Sequence, residues 1–450
     1  MVEVLVPNGT GTNAADDVAR LCKSLGLDPS TLCELRRSPF VPEDNFPPWL
    51  PLEVPITVGH LLSFYVDISS SSYLLHRSFF EGLLRIYNNS KAAPQLSNLA
   101  SCALDLEKVR LLEECASTDR GAELFRSLTN CGAPLCYPCL ADVLEAFDFV
   151  KIPLDRLLEV TGPLQPRKFS VANYIPSDTA VDHIQLCMRE VCVPRSRNLS
   201  TSAASGSLRS VAEMLNEVPR RISYEHREFF FGHTSHQLCS AARASQNGTL
   251  VLPRKMYVGS SLFGTTSFAK QLQAWCSVAC DPCRAKNLSS TSFLVGCGAG
   301  IAPLIAAVSQ LMYFRMSLLG DDVLCPCWVF YGARTKAELV YHEKLETALS
   351  SGAISRYEYA LSREQEKGQS GDHVTDLLKK HRASIANALE NGAQMFVCGP
   401  ANALRAVRQI LACDVLAEVD DDDSVQEQRI LMLEEQGRLN FDSWSTGNIF

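Results

Sequence analysis

An alternation of apolar segments and helices after Ser292 restricts the fold of this chain more than any other feature. Four apolar segments are typical of buried strands, and a stretch with helical spacing follows each of them. The four segments are FLVGCG, CWVFYGAR, RYEYALS and AQMFVCGP, and the helices after the last three are predicted at Lys336–Leu349, His373–Glu390 and Ala401–Leu411. Such an alternation predicts a parallel, doubly wound sheet whose carboxyl edge forms a ligand crevice.

The first of these strands ends in a glycine turn, and Ile301-Ala302-Pro303 opens the helix that follows. Glycine adopts the unusual backbone angles of such a turn and leaves no Cβ beside a ligand. Proline is favoured in the first turn of a helix, and the free N–H groups there bind anions such as a diphosphate. The pattern fits a dinucleotide loop at Gly298, Ala299 and Gly300, and it equally fits a plain strand–helix turn.

A basic cluster follows the third strand segment. Ser362, Arg363 and Lys367 would supply a hydroxyl, a bidentate guanidinium and an ammonium for a phosphate monoester. The same composition, Ser-Arg-Glu-Gln-Glu-Lys, is also typical of a solvated surface loop. Because the ends of four strands converge at one edge of the predicted sheet, a nucleotide site there is better supported than by the glycine turn alone.

Composition excludes several broad classes of function. The chain has 450 residues, of which 46% are hydrophobic and 20% charged, as in ordinary globular proteins with two or three domains. A net charge of −8 argues against nucleic acid or an anionic membrane as the main partner. No apolar run of membrane-spanning length is expected, and the N-terminus MVEVLVPNGT lacks the features of a signal peptide. We therefore expect a cytoplasmic protein.

Eighteen cysteines are a high count, but a chain of this size needs no disulfide framework. Cys136-x-x-Cys139 and Cys280-x-x-Cys283 could combine into a four-cysteine zinc site, although they are far apart and no histidine stands near them at zinc-finger spacing. The alternative is a set of scattered reduced thiols. We predict no metal site.

The first 268 residues follow a different pattern. From Ile56 to about Leu158 apolar residues recur at helical spacing, which on its own indicates a helical packing domain. From Val160 to Phe268 short, proline-punctuated strand segments indicate a β domain, plausibly a small barrel. A Ser-rich segment at about 195–227 lacks periodicity and is predicted to be a surface insertion.

Several longer motifs occur in a fixed order. The last third contains GCGAGIAP, YGARTKAELVYHEKL, ALSREQEKG, HVTDLLKKH and ENGAQMFVCGPANALRAVRQIL. They are preceded by LGLDPSTL, VDISS, HRSFFEGLL, PLQPRKFSVAN and QLCSAARASQNG, and followed by GRLNFDSWS. Together they resemble the FAD- and NADPH-binding half of the diflavin oxidoreductases over nearly the whole chain. RKFS and HRSFFEGLL look most similar to the cytosolic diflavin reductases of iron–sulfur protein assembly.

The resemblance implies an α/β plus β fold of the ferredoxin–NADP reductase type. An antiparallel FAD-binding barrel with an inserted helical connecting domain would be followed by a doubly wound, parallel-sheet NADP-binding domain. We expect the FAD-binding domain at 1–268, with the helical connecting region at about 56–158, and the NADP-binding domain at 285–450. Under this resemblance we expect no flavodoxin-type FMN domain before the helical region, and we expect the first barrel strands to be missing.

The resemblance also implies roles for individual residues. Phe169 would stack on the FAD isoalloxazine, and Trp444 would cover its other face and move aside for nicotinamide. The remaining FAD-binding residues would be Arg77, Arg167, Lys168, Ser170, Gln237, Leu238, Cys239 and Ser240, with backbone N–H groups of the last four at the diphosphate. Catalytic residues along the hydride path would be Ser170, Cys398 and Asp442. NADPH would be bound by Gly298, Ala299, Gly300, Ser362, Arg363, Lys367, His373 and Thr375.

The chain departs from the family pattern at several of these positions. Ala299 replaces a threonine and Gln237 a glycine, while His373 takes the place of a tyrosine after a short insertion. Pro400 and Ala406 replace acidic residues. The resemblance predicts a reductase that takes hydride from NADPH onto FAD and passes electrons to a separate flavodoxin-like or iron–sulfur protein. The alternatives are a degenerate reductase that serves as an interaction module, and a truncated gene model of a diflavin reductase.

Overall fold

A computed structural model shows how the chain folds. It describes residues 2–5, 8, 14–37, 50–68, 77–91, 103–117, 140–176, 183–190, 192–194, 229–231, 233–244, 257–259, 267–281, 291–317, 325–364, 371–417 and 423–443. These residues belong to two compact units. The sheet unit comprises Met1–Glu3, Lys168–Arg189 and Gly259–Phe450, and the helical unit comprises Val4–Arg167 and Glu190–Val258.

The described elements, numbered in chain order, are as follows. The helices are α1 Ala14–Leu25, α2 Val58–Phe64, α3 Arg77–Lys91, α4 Ala103–Ser117, α5 Leu140–Ala146, α6 Leu154–Val160, α7 His233–Ala244, α8 Ser267–Ala279, α9 Ile301–Ser317, α10 His342–Ser350, α11 Val374–Lys380, α12 Arg382–Glu390, α13 Ala401–Ile410 and α14 Asp423–Glu435. The strands are β1 Val2–Leu5, β2 Leu32–Glu34, β3 Pro55–Thr57, β4 Arg167–Phe169, β5 Cys192–Pro194, β6 Phe229–Phe231, β7 Tyr257–Gly259, β8 Ser292–Cys297, β9 Cys327–Ala333, β10 Arg356–Leu361, β11 Met395–Gly399 and β12 Leu439–Ser443.

The sheet unit contains the parallel, doubly wound sheet that the strand and helix alternation predicts. Its five strands lie in the order β10-β9-β8-β11-β12, and every neighbouring pair is parallel. Strand β8 is buried along its whole length because helices cover both faces of the sheet. Strand β12, at one edge, is formed by the segment that the sequence analysis treated as a terminal tail.

Each face of the sheet has its own core. Leu294 and Phe396 face helices α8 to α10, where Trp275 and Phe268 contact the ring of Phe396 at centroid distances of 5.7 and 5.8 Å. Phe293 and Val295 face the opposite core, built from α11 to α14. Because successive side chains of a strand point to opposite faces, a continuous apolar run supplies both cores at once.

One helical stretch, Gly298–Met316, is long and apolar enough to cross a membrane by length and composition alone. The sequence analysis expected no apolar run of that length. Ile301, Leu304 and Val308 of this stretch are fully buried in the core beside α8 and α10. The apolar character of this helix therefore serves the interior of the sheet unit.

The helix predicted at His373–Glu390 is two helices, α11 and α12, which meet at His381. His381 has non-helical backbone angles, φ −105° and ψ 17°. Its imidazole stacks on Phe330 at a centroid distance of 5.7 Å and lies 2.8 Å from Glu358 Oε1. Tertiary contacts of this one side chain thus break a helix that the periodicity predicts as continuous. The helix predicted at Lys336–Leu349 is likewise a short 3₁₀ turn, Lys336–Glu338, followed by α10.

Glu358 also accepts hydrogen bonds from Lys380 Nζ at 2.8 Å and from Arg356 Nη1 at 2.9 Å. Burial alone would raise the pKa of the Glu358 carboxyl, but these hydrogen bonds and the one with His381 outweigh it and lower the pKa to about 2. The carboxylate therefore ties edge strand β10 to the junction of α11 and α12.

In the helical unit, helices account for most of the described part of residues 56–158, as the apolar spacing predicts. Phe80, Leu83, Leu112 and Leu157 are among the fully buried residues of its core. The hydrophobic faces of α1 to α6 meet in this single core. Among the described residues these helices provide mainly apolar packing, and one buried ion pair, between Arg20 and Asp17 of α1 at 3.0 Å, accompanies it.

The predicted FAD-binding barrel stays a prediction. The described strands of that region are short: β2 pairs antiparallel with β3, β5 pairs antiparallel with β6, and β4, β1 and β7 form a three-stranded sheet. Val171 and Leu186 form an isolated antiparallel bridge. The Ser-rich insertion lies outside the described residues, as do residues 245–256 of the predicted β domain.

Candidate functional site

The carboxyl edge of the parallel sheet has one topological switch point. From β8 the chain goes to β9 and β10 on one side, and later to β11 and β12 on the other. Loops leaving β8 and β11 therefore depart in opposite directions and leave a crevice between them. In open α/β sheets ligands bind at this point.

Glycines permit the close approach of the two loops at the switch point. A Cβ on Gly300 would lie 2.3 Å from the carbonyl oxygen of Cys398, and a Cβ on Gly399 would lie 2.7 Å from Cβ of Cys297. Gly298 has a φ of +57°, in the left-handed region that favours glycine, and a Cβ there would meet nothing within 4 Å. The 17-residue helix α9 begins directly after this turn. Gly298, Ala299 and Gly300 therefore form an open turn at a helix N-terminus, which fits a diphosphate.

Cys398 and Asp442 are brought together by the pairing of β11 with β12. They are register partners, and Cys398 Sγ lies 4.0 Å from Asp442 Oδ2. Burial raises the pKa of the Asp442 carboxyl, and burial followed by the nearby Asp442 charge raises the pKa of the Cys398 thiol well above its usual range. Cys398 is thus a neutral thiol beside a carboxyl group at the mouth of the crevice. Trp444, which follows β12, lies outside the described residues.

Ser362 and Arg363 lie directly after β10 and are attached to the end of β9. The amide of Ser362 donates to the carbonyl of Ala333 at 3.0 Å, and the amide of Arg363 donates to the carbonyl of Arg334 at 2.8 Å. Ser362 is half-buried and Arg363 is exposed. The basic cluster therefore stands at the same edge of the sheet as the glycine turn. Lys367 lies outside the described residues.

His373 and Thr375 lie at the start of α11, also at this edge. Val374 between them packs on Gly332 of β9, where a Cβ would lie 3.2 Å from Val374 Cβ. His373 is the N-cap residue of α11: its amide donates to Asp376 Oδ2 at 2.7 Å, and its side chain is 59% exposed. The imidazole of His373 is therefore accessible to a ligand, while its backbone caps the N-terminus of α11.

The predicted flavin residues Lys168, Phe169 and Ser170 lie at the end of β4 in the sheet unit. Lys168 is exposed, and Phe169 and Ser170 are half-buried. The chain then pairs with a second segment, since the amide of Ala172 donates to the carbonyl of Gln185 at 2.8 Å. Phe169 retains open ring surface, as a stacking residue needs.

Arg77 and Arg167 belong to the helical unit. Arg77 Nε donates to the carbonyl of Ala116 at 2.9 Å and lies 2.7 Å from Glu81 Oε1. One edge of the guanidinium is thus engaged within the unit. Arg77 also lines a cleft of 360 Å³ between α3 and α4. Arg167 is half-buried at the start of β4.

The predicted diphosphate turn at Gln237, Leu238, Cys239 and Ser240 is wrong as a turn. These residues lie in the second and third turns of α7, which begins at His233. In an α-helix their amides donate to carbonyls four residues earlier and are not available to an anion. Gln237 lies inside the helix, where a glycine would weaken the helical conformation. Gln237 and Leu238 are also buried.

Helix α7 is held in place by Glu190. Arg243 donates to both carboxylate oxygens of Glu190 at 2.6 and 2.9 Å, and His236 Nδ1 lies 2.6 Å from the same group. The hydrogen bonds from Arg243 are the main cause that lowers the pKa of Glu190 to about 2, and His236 adds to them. The guanidinium of Arg243 on this helix is therefore already paired with a carboxylate.

No cluster of three or more metal-ligating side chains occurs in the part of the chain that the structure describes. Cys280 is buried and unpaired, and burial raises the pKa of its thiol to about 12. Of the cysteines considered for zinc, Cys136, Cys139 and Cys283 lie outside the described residues. The prediction that the chain has no metal site is not tested by the described part alone.

One feature of this edge was missed by the sequence analysis. Arg334, the residue after β9, forms a bidentate ion pair with Glu338 on the following 3₁₀ turn. The i,i+4 spacing of arginine and glutamate was the available signal. It was overlooked because the segment was predicted as an ordinary amphipathic helix.

Comparison with known proteins agrees with the geometry of this edge. Residues 294–409 match the model of the oxidoreductase NAD-binding domain. Human NADPH–cytochrome P450 reductase is 31% identical over 156 residues, which are 34% of this chain and 22% of that protein. Methionine synthase reductase of Rattus norvegicus is 25% identical over 362 residues, 78% of this chain and 45% of that protein.

A third relative extends the match to nearly the whole chain. The bifunctional cytochrome P450/NADPH–P450 reductase of Gibberella moniliformis is 24% identical over 417 residues, 91% of this chain and 30% of that protein. The chain spans less than half of the length of each of these three relatives. It therefore contains a ferredoxin–NADP-reductase-like NAD-binding domain and is homologous to the NADPH–cytochrome P450 reductases and to methionine synthase reductase.

Proposed function

We propose that this chain is an NADPH-dependent flavin oxidoreductase that transfers hydride from NADPH to FAD and passes electrons to a separate acceptor protein. The observation that carries the proposal is the switch point. There, an open glycine turn at a helix start packs against the end of strand β11, which carries Cys398. The NAD-binding domain and the diflavin-type homologues imply NADPH and FAD as the cofactors.

The diphosphate and the phosphate monoester of NADPH would be recognised by different parts of the edge. The turn Gly298–Gly300 and the start of α9 would bind the diphosphate through backbone N–H groups and the helix dipole. Ser362 and the exposed guanidinium of Arg363 would bind the phosphate monoester on the adenosine ribose. This second contact distinguishes NADPH from NADH, because only NADPH carries that phosphate.

Cys398 and Asp442 would stand beside the nicotinamide. When bound, FAD supplies the hydride-accepting chemistry and the conversion of a two-electron donor into single-electron steps. The Asp442 carboxylate would stabilise positive charge that develops beside it, and the Cys398 thiol, 4.0 Å from it, would shield the carboxylate from water. Ser170, on the flavin strand, is proposed as the third polar group of this path.

The flavin side is supported by fewer contacts. Phe169 and Arg167 have accessible surface for a flavin ring and a phosphate, whereas the amides of Gln237–Ser240 are used inside α7. We therefore propose that FAD is held mainly by stacking and by side-chain charge. The resulting affinity is expected to be lower than that of a site built on a free diphosphate turn.

The acceptor would be a flavodoxin-like or iron–sulfur protein. The motif similarity to reductases of iron–sulfur protein assembly motivates this part of the proposal, and a cytosolic location belongs to it. Twelve of the cysteines in the described part of the chain stand outside any disulfide, which suits a reducing compartment. Neither nucleic acid nor a membrane is proposed as a partner of this acidic chain.

The test is the reduction of ferricyanide by the full chain purified with added FAD, with NADPH or NADH as donor. We expect bound flavin and faster reduction with NADPH. Arg363→Ala should abolish the preference for NADPH, whereas Arg315→Ala, in the last turn of α9 at the opposite edge of the sheet, should leave it unchanged. A colourless, inactive protein would contradict the proposal.

A second candidate function is favoured by α7 alone. If the paired charges and buried amides of this helix exclude FAD, the chain would be a degenerate reductase that serves as an interaction module. Equilibrium titration with FAD separates the two candidates, since a tight complex excludes the second.

A further inference from the structure

Two arginines at the carboxyl edge of the sheet differ in whether their guanidinium groups form an ion pair. Arg334 follows β9 and Arg363 follows β10, and the amide of Arg363 donates to the carbonyl of Arg334 at 2.8 Å. Arg363 is exposed and forms no ion pair with any described residue. Arg334, its neighbour across the sheet, is already paired with Glu338.

The pair formed by Arg334 and Glu338 engages a full edge of the guanidinium. Nε donates to Glu338 Oε2 at 2.9 Å, and Nη2 donates to the other carboxylate oxygen. The backbone holds Glu338 in position as well, since the Tyr331 hydroxyl donates to its carbonyl at 3.1 Å. The hydrogen bonds from Arg334 lower the pKa of the Glu338 carboxyl, so it is ionised at neutral pH. Both side chains are about one-third exposed, 32% and 37%, and a ligand can reach them.

The same guanidinium edge is what a phosphate monoester would need. Arginine recognises phosphate best through two parallel N–H bonds, and an edge already bonded to a carboxylate cannot make them. The ionised carboxylate also repels a doubly charged phosphate at short range. We propose that Glu338 is a specificity-determining residue: by holding Arg334 it withholds a second guanidinium from the ribose phosphate of NADPH and limits the preference for NADPH over NADH. The inference rests on the proposed function of this edge.

Direct binding tests the inference without catalysis. Isothermal titration of the full chain with 2′,5′-ADP measures recognition of the phosphate monoester, and titration with ADP measures binding without it. Glu338→Gln keeps the shape of the side chain and removes its charge. We expect this variant to bind 2′,5′-ADP about tenfold more tightly, the value of one charge-assisted hydrogen bond, and ADP with unchanged affinity.

Three further variants assign the effect to Arg334. Arg334→Gln in the otherwise unchanged chain should alter 2′,5′-ADP affinity by less than about twofold, because Glu338 already holds the Nε–Nη2 edge of the guanidinium. The double variant Glu338→Gln/Arg334→Gln should lose the tenfold gain. Glu390→Gln removes a carboxylate at the end of α12, which precedes β11 and so lies at the opposite edge, and should change nothing.

The outcomes separate the inference from the function on which it rests. If the unchanged chain binds 2′,5′-ADP more tightly than ADP but Glu338→Gln has no effect, the inference is wrong and the nucleotide site stands. A gain that persists in the double variant, or a large loss in Arg334→Gln alone, also overturns the inference. If no variant binds either nucleotide, the proposed function fails together with it.

Discussion

The nicotinamide side and the flavin side of this chain show the same kind of motif resemblance, yet they differ in what the fold makes of it. On the nicotinamide side, five parallel strands bring the glycine turn, the serine–arginine pair and the Cys398–Asp442 pair to one edge. On the flavin side, the predicted diphosphate turn is the interior of helix α7. The motifs at the sheet keep their arrangement in spite of substitutions, because the parallel strands hold their residues in place. The diphosphate turn depends on a single residue type, a glycine that stops a helix, and it is lost when another residue stands there.

Gly300 offers the largest expected effect and tests how strictly the sheet fixes its loops. In Gly300→Ala the new Cβ would meet backbone atoms of Cys398 at 2.3 and 2.5 Å, which cannot move without disturbing β11. We expect a loss of roughly 3 kcal/mol in the free energy of unfolding, measured in urea, and no binding of 2′,5′-ADP.

Gly298→Ala is the matched control. Its Cβ would meet open space, so only the left-handed φ of +57° opposes the substitution, at a cost of about 1 kcal/mol. Equal losses in the two variants would show that contact between the two loops does not matter.

Asp442→Asn tests whether the β11–β12 pair contributes to chemistry. Removal of the carboxylate charge should slow flavin reduction by NADPH about tenfold to a hundredfold in stopped-flow measurements, while 2′,5′-ADP affinity is unchanged. Burial raises the pKa of Asp442, so the carboxylate protonates at a higher pH than an exposed aspartate would. The rate of the unmodified protein should therefore fall as the pH decreases, and the variant should lack this acid limb.

Serine in place of Cys398 should have a smaller effect in the same direction, because its hydroxyl still donates to Asp442. Unchanged rates in both variants, with intact flavin binding, would remove Cys398 and Asp442 from the hydride path.

Gln237→Gly tests the flavin side directly. Glycine should end α7 near this position and release the following amides, so FAD binding should tighten about tenfold although helix stability falls by about 1 kcal/mol. Fluorescence titration of FAD measures the affinity. Ala241→Gly, four residues later in the same helix, should lose similar stability without the gain, because the amides of 237–240 remain bonded. Equal effects in the two variants would contradict the assigned role of Gln237.

The smallest expected effect is on stability, from substitution of Glu358 in the sheet unit or of Glu190 in the helical unit. Each carboxyl has a pKa near 2 in the folded protein, below its ordinary value of 4.5. The stabilisation from each is therefore complete above about pH 5 and is lost as the pH falls toward 2. Glu358→Gln and Glu190→Gln should each lower stability at neutral pH by roughly 1 kcal/mol and flatten its acid dependence in urea titrations. An unchanged acid dependence in either variant would show that the ion pairs of that unit contribute nothing.

The core of the sheet unit was predictable because its central strands β8, β9 and β11 are almost continuous apolar runs. Strand β12 was not predicted from the sequence, because LNFDS lies at a sheet edge and carries only a weak apolar signal. The division of the predicted helix at His381 was not predicted either, because its cause is the tertiary contact of His381 with Phe330 and Glu358. Periodicity reports which face of a segment is buried and is silent about what a single side chain meets across the fold.

The candidate site could likewise be predicted from the sequence only in part. Gly298, Ser362 and Cys398 could be placed at one edge in advance, since strand ends of a parallel sheet converge. The role of Gln237 could not, because the motif resemblance carried a turn over to a residue that continues a helix. The ion pair of Arg334 with Glu338 was readable from its spacing, and its significance became visible only when β10 was placed beside β9.

Hydrogen–deuterium exchange with and without NADPH tests most directly whether the carboxyl edge of the sheet is the nucleotide site. We predict slower exchange at Gly298–Ile301 and at Ser362–Glu364 when NADPH is added. The turns at Gly352 and Gly392, which precede β10 and β11 at the opposite edge, should exchange at unchanged rates. Protection confined to those opposite turns, or no protection at the carboxyl edge at saturating NADPH, would contradict the account.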